Sequence, residues 1–319
     1  MTSPPRRLLV VRLSALGDVI HTIPAVVALR DALPKTQIVW AVEAPYRELV
    51  EIVTGVQSIP VRMKRWGREP LASRRDAMHA LRAMRQCDAA VDFQGLIKSA
   101  VLVRLSGAKT RYGFAKEAIR EKPAAWFTNR HVKVDTTKHV IEQNLQLASG
   151  VLPLPRKAGL EAGTARWDAF PADPEGKLAE SRNAIVLLPG AGKPNKLWPI
   201  GRFRELAKNL GDRALAVWGP GERDLAHAIG CRIAPPTDLR ELAWLLRHAK
   251  AVIGADTGPL HLAVALGTRV IGLYGPTDPR RNGPYGQLEQ CVNEFDRTKL
   301  MTAISVQDVM TTLDRVGVA

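Results

Sequence analysis

The residues able to do chemistry in this 319-residue chain stand beside glycines, where apolar runs give way to helical patterns. Gly17-Asp18 follows the run Arg7–Leu13. Glycine allows a tight turn at a helix start, and an aspartate there fits two roles: a helix N-cap, or a general base that accepts a hydroxyl proton. Both stay open at this point. After Ala184–Leu188 come Gly190, Ala191 and Gly192 and then Lys196. Small residues permit close backbone approach to a diphosphate and the lysine supplies a point charge, although an ordinary surface turn fits the same residues. After Ala251–Ala255 come Asp256, Thr257 and Gly258 where a helix begins, with His261 on its first turn. Amides at such a helix start cradle phosphate oxygens and the carboxylate accepts from sugar hydroxyls, while His261 suits hydrogen-bonding support rather than catalysis. Glu222, after Trp218-Gly219-Pro220-Gly221, either holds a ribose diol or complements a helix N-terminus. Tyr274–Pro279 reads as a rigid turn.

Several chemistries drop out. The glycine loops match neither G-x-x-x-x-G-K-[ST] nor G-x-G-x-x-G, which disfavours a nicotinamide-dependent dehydrogenase. The single D-T-G precedes a helical segment and has no second copy, unlike an aspartic-protease dyad. No ligand spacing around His261 suggests a metal, and no cofactor is expected. Cys87, Cys231 and Cys291 are far apart and are expected as buried fillers, not as a disulfide framework or a zinc site.

These residues need elements to hold them. Strand patterns at Arg7–Leu13, Gln37–Glu43 and Ala89–Phe93 alternate with helical patterns at Val19–Leu33, Tyr46–Val53 and Lys98–Leu105. A second series has strands at Ala184–Leu188, Ala214–Trp218, Ala251–Ala255 and Arg269–Tyr274, and helices at Arg202–Leu210, Glu222–Ile229, Leu239–His248 and Leu260–Leu266. Alternation of this kind predicts an α/β protein with parallel sheets. At about 100–200 residues per domain, two domains are expected: 1–155, a proline-containing connection at 156–182, and 183–319. Open parallel sheets bind ligands at the carboxyl ends of their strands, in the crevice they border.

Charge is uneven. Residues 1–160 carry 26 Lys and Arg against 13 Asp and Glu, or +13, whereas the remainder carries 20 against 18, or +2. A one-sided positive field gathers anionic partners such as nucleic acid, an acidic membrane surface or a phosphorylated acceptor, although a merely solvated surface also fits. Much of the excess lies in Val61–Arg85, where Arg62, Lys64 and Arg65 begin a basic stretch that reads as a solvated helix and loop or as an arm gripping phosphates. No RNA-binding or helix-turn-helix signature appears, so no nucleic-acid partner is expected. No apolar run reaches the ~18–20 residues of a membrane span, and Arg12 interrupts the N-terminal run, so a cytoplasmic location is expected.

Five segments in one order carry a resemblance: R-L-S-A-L-G-D-V-I-H-T-I-P-A at Arg12–Ala25, A-V-D-F-Q-G-L-I-K-S-A at Ala90–Ala100, K-L-W-P at Lys196–Pro199, D-T-G-P-L-H-L-A at Asp256–Ala263 and Y-G-P-T-D-P at Tyr274–Pro279. Together they resemble the bacterial lipopolysaccharide heptosyltransferases, and G-D-V-x-H-T-x-P is similar to the type I branch. The resemblance implies a GT-B fold, two Rossmann-like domains with parallel sheets facing across a cleft, and inversion at the anomeric carbon without a metal. It implies an ADP-heptose donor held by the second domain and the Kdo end of a Kdo-lipid A acceptor held by the first. By motif, Asp18 is the general base, and Gly190, Ala191, Gly192, Lys196, Glu222, Asp256, Thr257, Gly258 and His261 lie on the donor side. Ser14, Ala15, Gly17, Arg62, Lys64, Arg65 and Arg120 lie on the acceptor side. Gly190-Ala191-Gly192 lacks the threonine hydroxyls of some members, so backbone amides must serve the diphosphate there. The expected partners also include the anionic cytoplasmic face of the inner membrane. The alternative is a same-fold transferase using another nucleotide sugar or core acceptor.

Overall fold

A computed structural model describes residues 4–154, 165–172 and 176–318, and the chain divides into two compact units, Met1–Arg166 and Trp167–Ala319. In the first, strands β1 (Arg7–Val11), β2 (Gln37–Glu43), β3 (Gln57–Val61), β4 (Ala89–Asp92), β5 (Thr110–Phe114) and β6 (Arg130–Val132) form a sheet of order β3-β2-β1-β4-β5-β6. Every pairing is parallel, with Leu9 set between Val39 and Ala90. Helices α1 (Leu16–Ala32), α2 (Arg47–Thr54), α3 (Met63–Arg68), α4 (Arg74–Met84), α5 (Ile97–Leu105) and α6 (Val140–Val151) connect and cover it. A parallel strand covered on both faces must be apolar on both, and β1 buries Leu8, Leu9, Val10 and Val11 completely.

The second unit repeats the topology. Strands β7 (Ile185–Leu188), β8 (Ala214–Ala216), β9 (Arg232–Ile233), β10 (Ala251–Ala255), β11 (Val270–Tyr274) and β12 (Cys291–Asn293) run in the order β12-β11-β10-β7-β8-β9, again all parallel. Its helices are α7 (Ile200–Leu210), α8 (Arg223–Ile229), α9 (Leu239–His248), α10 (Gly258–Ala265), α11 (Pro279–Asn282) and α12 (Val306–Arg315). Ile185, Leu187, Phe203, Leu206, Ile253 and Ile271 lie in its core.

In each sheet the chain winds outward, then returns to the other side of the first strand. This places a topological switch point between β1 and β4 in the first unit and between β7 and β10 in the second. Ligands of such sheets bind beyond the strand ends at that point.

Most predicted elements are present, with shifted ends. The first strand stops at Val11 and the second of the second series at Ala216, while α1 starts at Leu16, three residues before the predicted helix. Of the expected connection, 156–164 and 173–175 lie outside the described residues. Of the described remainder, Arg166 donates its amide to the Val53 carbonyl of the first unit at 2.8 Å, and the residues from Trp167 onward pack in the second: Phe170 and Leu178 are buried, and the Phe170 carbonyl accepts from Arg240 Nε at 3.1 Å. The basic stretch is α3 and α4 joined by a turn, with Ala80 and Met84 buried. Cys87 is a buried filler as expected, but Cys231 and Cys291 are only half-buried.

Candidate active site

At the first switch point, Arg12 directly follows β1 and is buried, and one of its amino groups lies 2.6 Å from Asp18 Oδ1. The other donates to the Phe93 carbonyl beyond β4, while Nε has no partner among the described residues. Burial lowers the Arg12 pKa, against the pull of the Asp18 and Asp92 carboxylates. Asp18 itself is 33% exposed. Its Oδ2 lies 3.4 Å from the Ala15 amide and 4.0 Å from Arg120 Nη1, so this oxygen is the less engaged of the two.

The earlier helix start decides one question left open by the sequence. Ala15 occupies the N-cap position of α1 and Asp18 the third helical residue, so Asp18 is not the cap. Gly17 is buried beneath it, Ser14 is half-buried and Ala15 is exposed. His21 is buried, with its ring edge-on to His139 at 5.5 Å, and is taken up by the packing of α1.

Asp92 ends β4 beside this pair. Its Oδ1 accepts from the amides of Gln94 at 2.9 Å and Gly95 at 3.2 Å, and its Oδ2 from Ser99 Oγ at 3.0 Å. Burial nevertheless raises its pKa to about 6, since these bonds and the Arg12 charge only partly offset desolvation. Gln94 Oε1 accepts the Leu13 amide at 2.8 Å and so ties the two post-strand loops together.

The basic residues divide. Arg62 pairs with Asp76 and Arg65 with Glu69, both at 3.1 Å on exposed surface, where such pairs contribute about 1 kcal/mol or less. Lys64 is exposed and its charge, with that of Lys98, acts on Glu43 at the end of β2; burial raises the Glu43 pKa against them and against a backbone bond from Met63.

At the second switch point, Asp256 follows β10 and its carboxylate is 7% exposed. Lys196 Nζ lies 2.6 Å from Oδ2, and His261 Nε2 lies 2.9 Å from Oδ1, in the geometry of a donated N–H. Burial works to raise the Asp256 pKa, but the hydrogen bonds and charges of His261 and Lys196 outweigh it and hold the group well below the usual carboxylate range. Beside it the buried Tyr274 hydroxyl has no partner among the described residues, and burial and the Asp256 charge raise its pKa well above normal. Thr257 is the N-cap residue of α10 but makes no side-chain capping bond, leaving the Gly258 and Leu260 amides unclaimed by a cap. Such a helix start is a ready phosphate seat.

The loop carrying Lys196 is anchored by its neighbour. Trp198 is buried, donates from Nε1 to the Ile304 carbonyl at 3.0 Å, and packs edge-on against Phe203 at 4.8 Å. Gly190 is buried while Ala191 and Gly192 approach the surface. A Cβ on Gly190 would stand 2.0 Å from the Glu222 carboxyl carbon, so only glycine admits that carboxylate. Glu222 Oε2 also accepts the Gly219 amide at 2.9 Å. No group of His, Cys, Asp and Glu among the described residues is arranged to hold a metal.

The structure therefore gathers Asp18, Gly17 and Arg120 at one switch point, and Gly190, Lys196, Glu222, Asp256, Thr257, Gly258 and His261 around the other. Arg12, Asp92, Gln94 and Tyr274 went unassigned in the sequence. The available signals were Arg12, a charge inside an apolar run at a strand end, and the place of Asp92, Gln94 and Tyr274 within the segments Ala90–Ala100 and Tyr274–Pro279 that carry the resemblance.

A switch-point seat with a lysine, a locked carboxylate and an uncapped helix start, repeated sheets, and an aspartate one-third exposed on the other unit together define a nucleotide-sugar glycosyltransferase of the GT-B class. The family model described as glycosyltransferase family 9 (heptosyltransferase) matches residues 75–309, and the chain belongs to that family. It is 32% identical over 297 residues to lipopolysaccharide heptosyltransferase 1 of Salmonella typhimurium, covering 88% of this chain and 92% of the relative. It is 33% identical over 297 residues to the Pseudomonas aeruginosa protein of the same name, covering 88% and 82%. Among solved structures, the E. coli heptosyltransferase WaaC with ADP-2-deoxy-2-fluoro heptose matches with a TM-score of 0.80 at 26% identity, over 98% of this chain and all of that one. The resemblance carried by the five sequence segments is borne out.

Proposed function

We propose that this protein is an inverting transferase that moves L-glycero-D-manno-heptose from ADP-heptose to the Kdo of Kdo-lipid A in lipopolysaccharide inner-core synthesis. The observation that carries this reading is the contrast between the two aspartates, one partly free and one locked, in a chain of this family. The Kdo hydroxyl oxygen forms a bond to the heptose anomeric carbon as the bond from that carbon to the ADP oxygen breaks. One displacement inverts the centre. The hydroxyl proton passes to Asp18 Oδ2, the less engaged oxygen, while Arg12 holds Oδ1 and keeps the carboxylate oriented. The hydroxyl becomes acidic as the new bond forms, so a base within reach of it at that moment suffices.

The leaving diphosphate takes up negative charge, and Lys196 with the first-turn amides of α10 supplies positive charge and donors there. Asp256, ionised and gripped by Lys196 and His261, keeps Lys196 in place and retains lone pairs for sugar hydroxyls. Glu222 holds the ribose diol. Arg62, Lys64, Arg65 and Arg120, with Ser14 and Ala15, meet the acidic acceptor. No helix among the described residues is long and apolar enough to cross a membrane. The excess of +13 over residues 1–160 suits contact with an anionic membrane that presents the acceptor.

The test is transfer of heptose from ADP-heptose to Kdo-lipid A by the purified protein, read by mass of the product. A panel of other nucleotide sugars and of acceptors already bearing heptose accompanies it. Transfer with the first pair alone supports the reading; turnover only with another donor or acceptor refutes it.

A further inference from the structure

In the first unit, α5 buries Ser99, Ala100, Leu102 and Val103 and turns Ile97, Val101, Arg104 and Leu105 outward. Alongside it lies the short 3-10 helix Lys122–Phe127. Two sets of bonds fix that alignment. At one end Glu121 Oε2 accepts the Ile97 amide at 2.7 Å. At the other, Arg111 donates to the Phe127 and Ala108 carbonyls, both at 2.8 Å. Ala124 and Ala125 are buried, whereas Trp126 is 79% exposed, with Leu105 at 43% and Ile97 at 42%. Exposed Lys98, Arg104 and Lys122 flank these three side chains. A tryptophan beside aliphatic side chains and a cationic rim is the composition that settles at a bilayer's headgroup level.

We propose that this strip docks the protein on an anionic phospholipid surface, with Trp126, Leu105 and Ile97 entering the headgroup region and Lys98, Arg104 and Lys122 meeting lipid phosphates. The inference rests on the reading that the acceptor is borne on a lipid, and it names the face that meets the membrane. Three arguments select a bilayer over a protein. The half of the chain that carries the strip has the +13 excess, which complements anionic lipid. Three exposed apolar side chains fall short of the ~800 Å² per partner that a stable protein interface buries. The strip also begins at the acceptor side: Arg120, two residues before the 3-10 helix, lies 4.0 Å from Asp18. From there α5 leads away for about 13 Å at ~1.5 Å per residue, so a sugar near Asp18 and a membrane under Trp126 are served by one docked orientation.

The test is co-sedimentation of the full chain with vesicles of phosphatidylglycerol and phosphatidylethanolamine, and with vesicles of phosphatidylcholine alone. The wild type is expected to bind the anionic vesicles and to bind the neutral ones at least about tenfold more weakly. Trp126→Ser with Leu105→Ser is expected to weaken anionic-vesicle binding at least about tenfold, and Trp126→Phe to retain most of it. Leu71, 87% exposed on the turn between α3 and α4, is the control, and Leu71→Ser is expected to bind as the wild type does. Circular dichroism melting and transfer to a deacylated, water-soluble Kdo acceptor are expected to be unchanged in the double variant. Failure of the wild type to bind anionic vesicles overturns the proposal. So does undiminished binding by the double variant, or a change in its sedimentation coefficient without vesicles, which would make the strip a self-interface. Absence of heptose transfer to any acceptor would instead refute the function, and vesicle binding would still be read independently.

Discussion

Two aspartates stand beyond the switch points, Asp18 in the helix after β1 of the first unit and Asp256 after β10 of the second, and their surroundings differ. Asp18 is a third exposed, has one oxygen held by Arg12 and keeps the other lightly engaged. Asp256 is almost buried and has both oxygens taken, by Lys196 and His261. On the proposed reading the same residue type does different work: the carboxylate with the less engaged oxygen receives a proton, and the one held between Lys196 and His261 stays ionised and positions them. Environment, not residue identity, assigns the roles.

The largest expected effect follows from the open oxygen. Asp18→Asn keeps the side-chain shape and removes the base, and its turnover in heptose transfer is expected to fall by ~10²–10⁴-fold in steady-state assays. Activity near that of the wild type would erase the contrast between the two sites.

Asp92 and Asp256 sharpen the comparison through pH. Asp92 has a raised folded pKa of about 6, so the folded state binds its proton more tightly than the unfolded state. Stability from this group is therefore lost as pH rises from about 4 through about 6, by about 3 kcal/mol at most. Asp256 has the opposite sign: its stabilisation is present above the unfolded pKa of about 3.9 and is lost only as pH falls through its depressed folded value. Urea unfolding between pH 4 and pH 8 is expected to show a downward slope in the wild type and to lack it in Asp92→Asn. In Asp256→Asn the acid limb is expected to flatten instead.

Lys196→Ala removes a charge-assisted bond of about 1.5–3 kcal/mol, and ADP binding measured by titration calorimetry is expected to weaken by about ten- to a hundredfold. The smallest effect is expected from Gly190→Ala. Its Cβ would displace the Glu222 carboxylate, which is expected to lower stability by about 1 kcal/mol in denaturant unfolding and to raise the donor KM a few-fold.

What the sequence could show follows from the same physics. Strands buried on both faces, such as Ala251–Ala255 and Val270–Tyr274, are uninterrupted apolar runs and were legible. The outer strands were not: Arg130–Val132, Arg232–Ile233 and Cys291–Asn293 are two or three residues long with polar members, because a sheet edge does not require a continuous apolar run. The post-strand residues Asp18, Lys196 and Asp256 stood out by type and position. Their pairings did not, since Lys196 meets Asp256 across 60 residues and Arg12 meets the Phe93 carbonyl across 81. Asp92 was hidden for a related reason: inside an apolar strand its carboxylate is explained only by the amides and hydroxyl that fold around it.

The division of labour between the two aspartate sites is tested most directly by measuring ADP affinity and transfer turnover on the same preparations of Asp18→Asn and Lys196→Ala. Asp18→Asn is expected to bind ADP within about twofold of the wild type while losing at least ~10²-fold in turnover, and Lys196→Ala to lose ADP affinity. Loss of ADP binding in Asp18→Asn, or wild-type turnover in that variant, would contradict it.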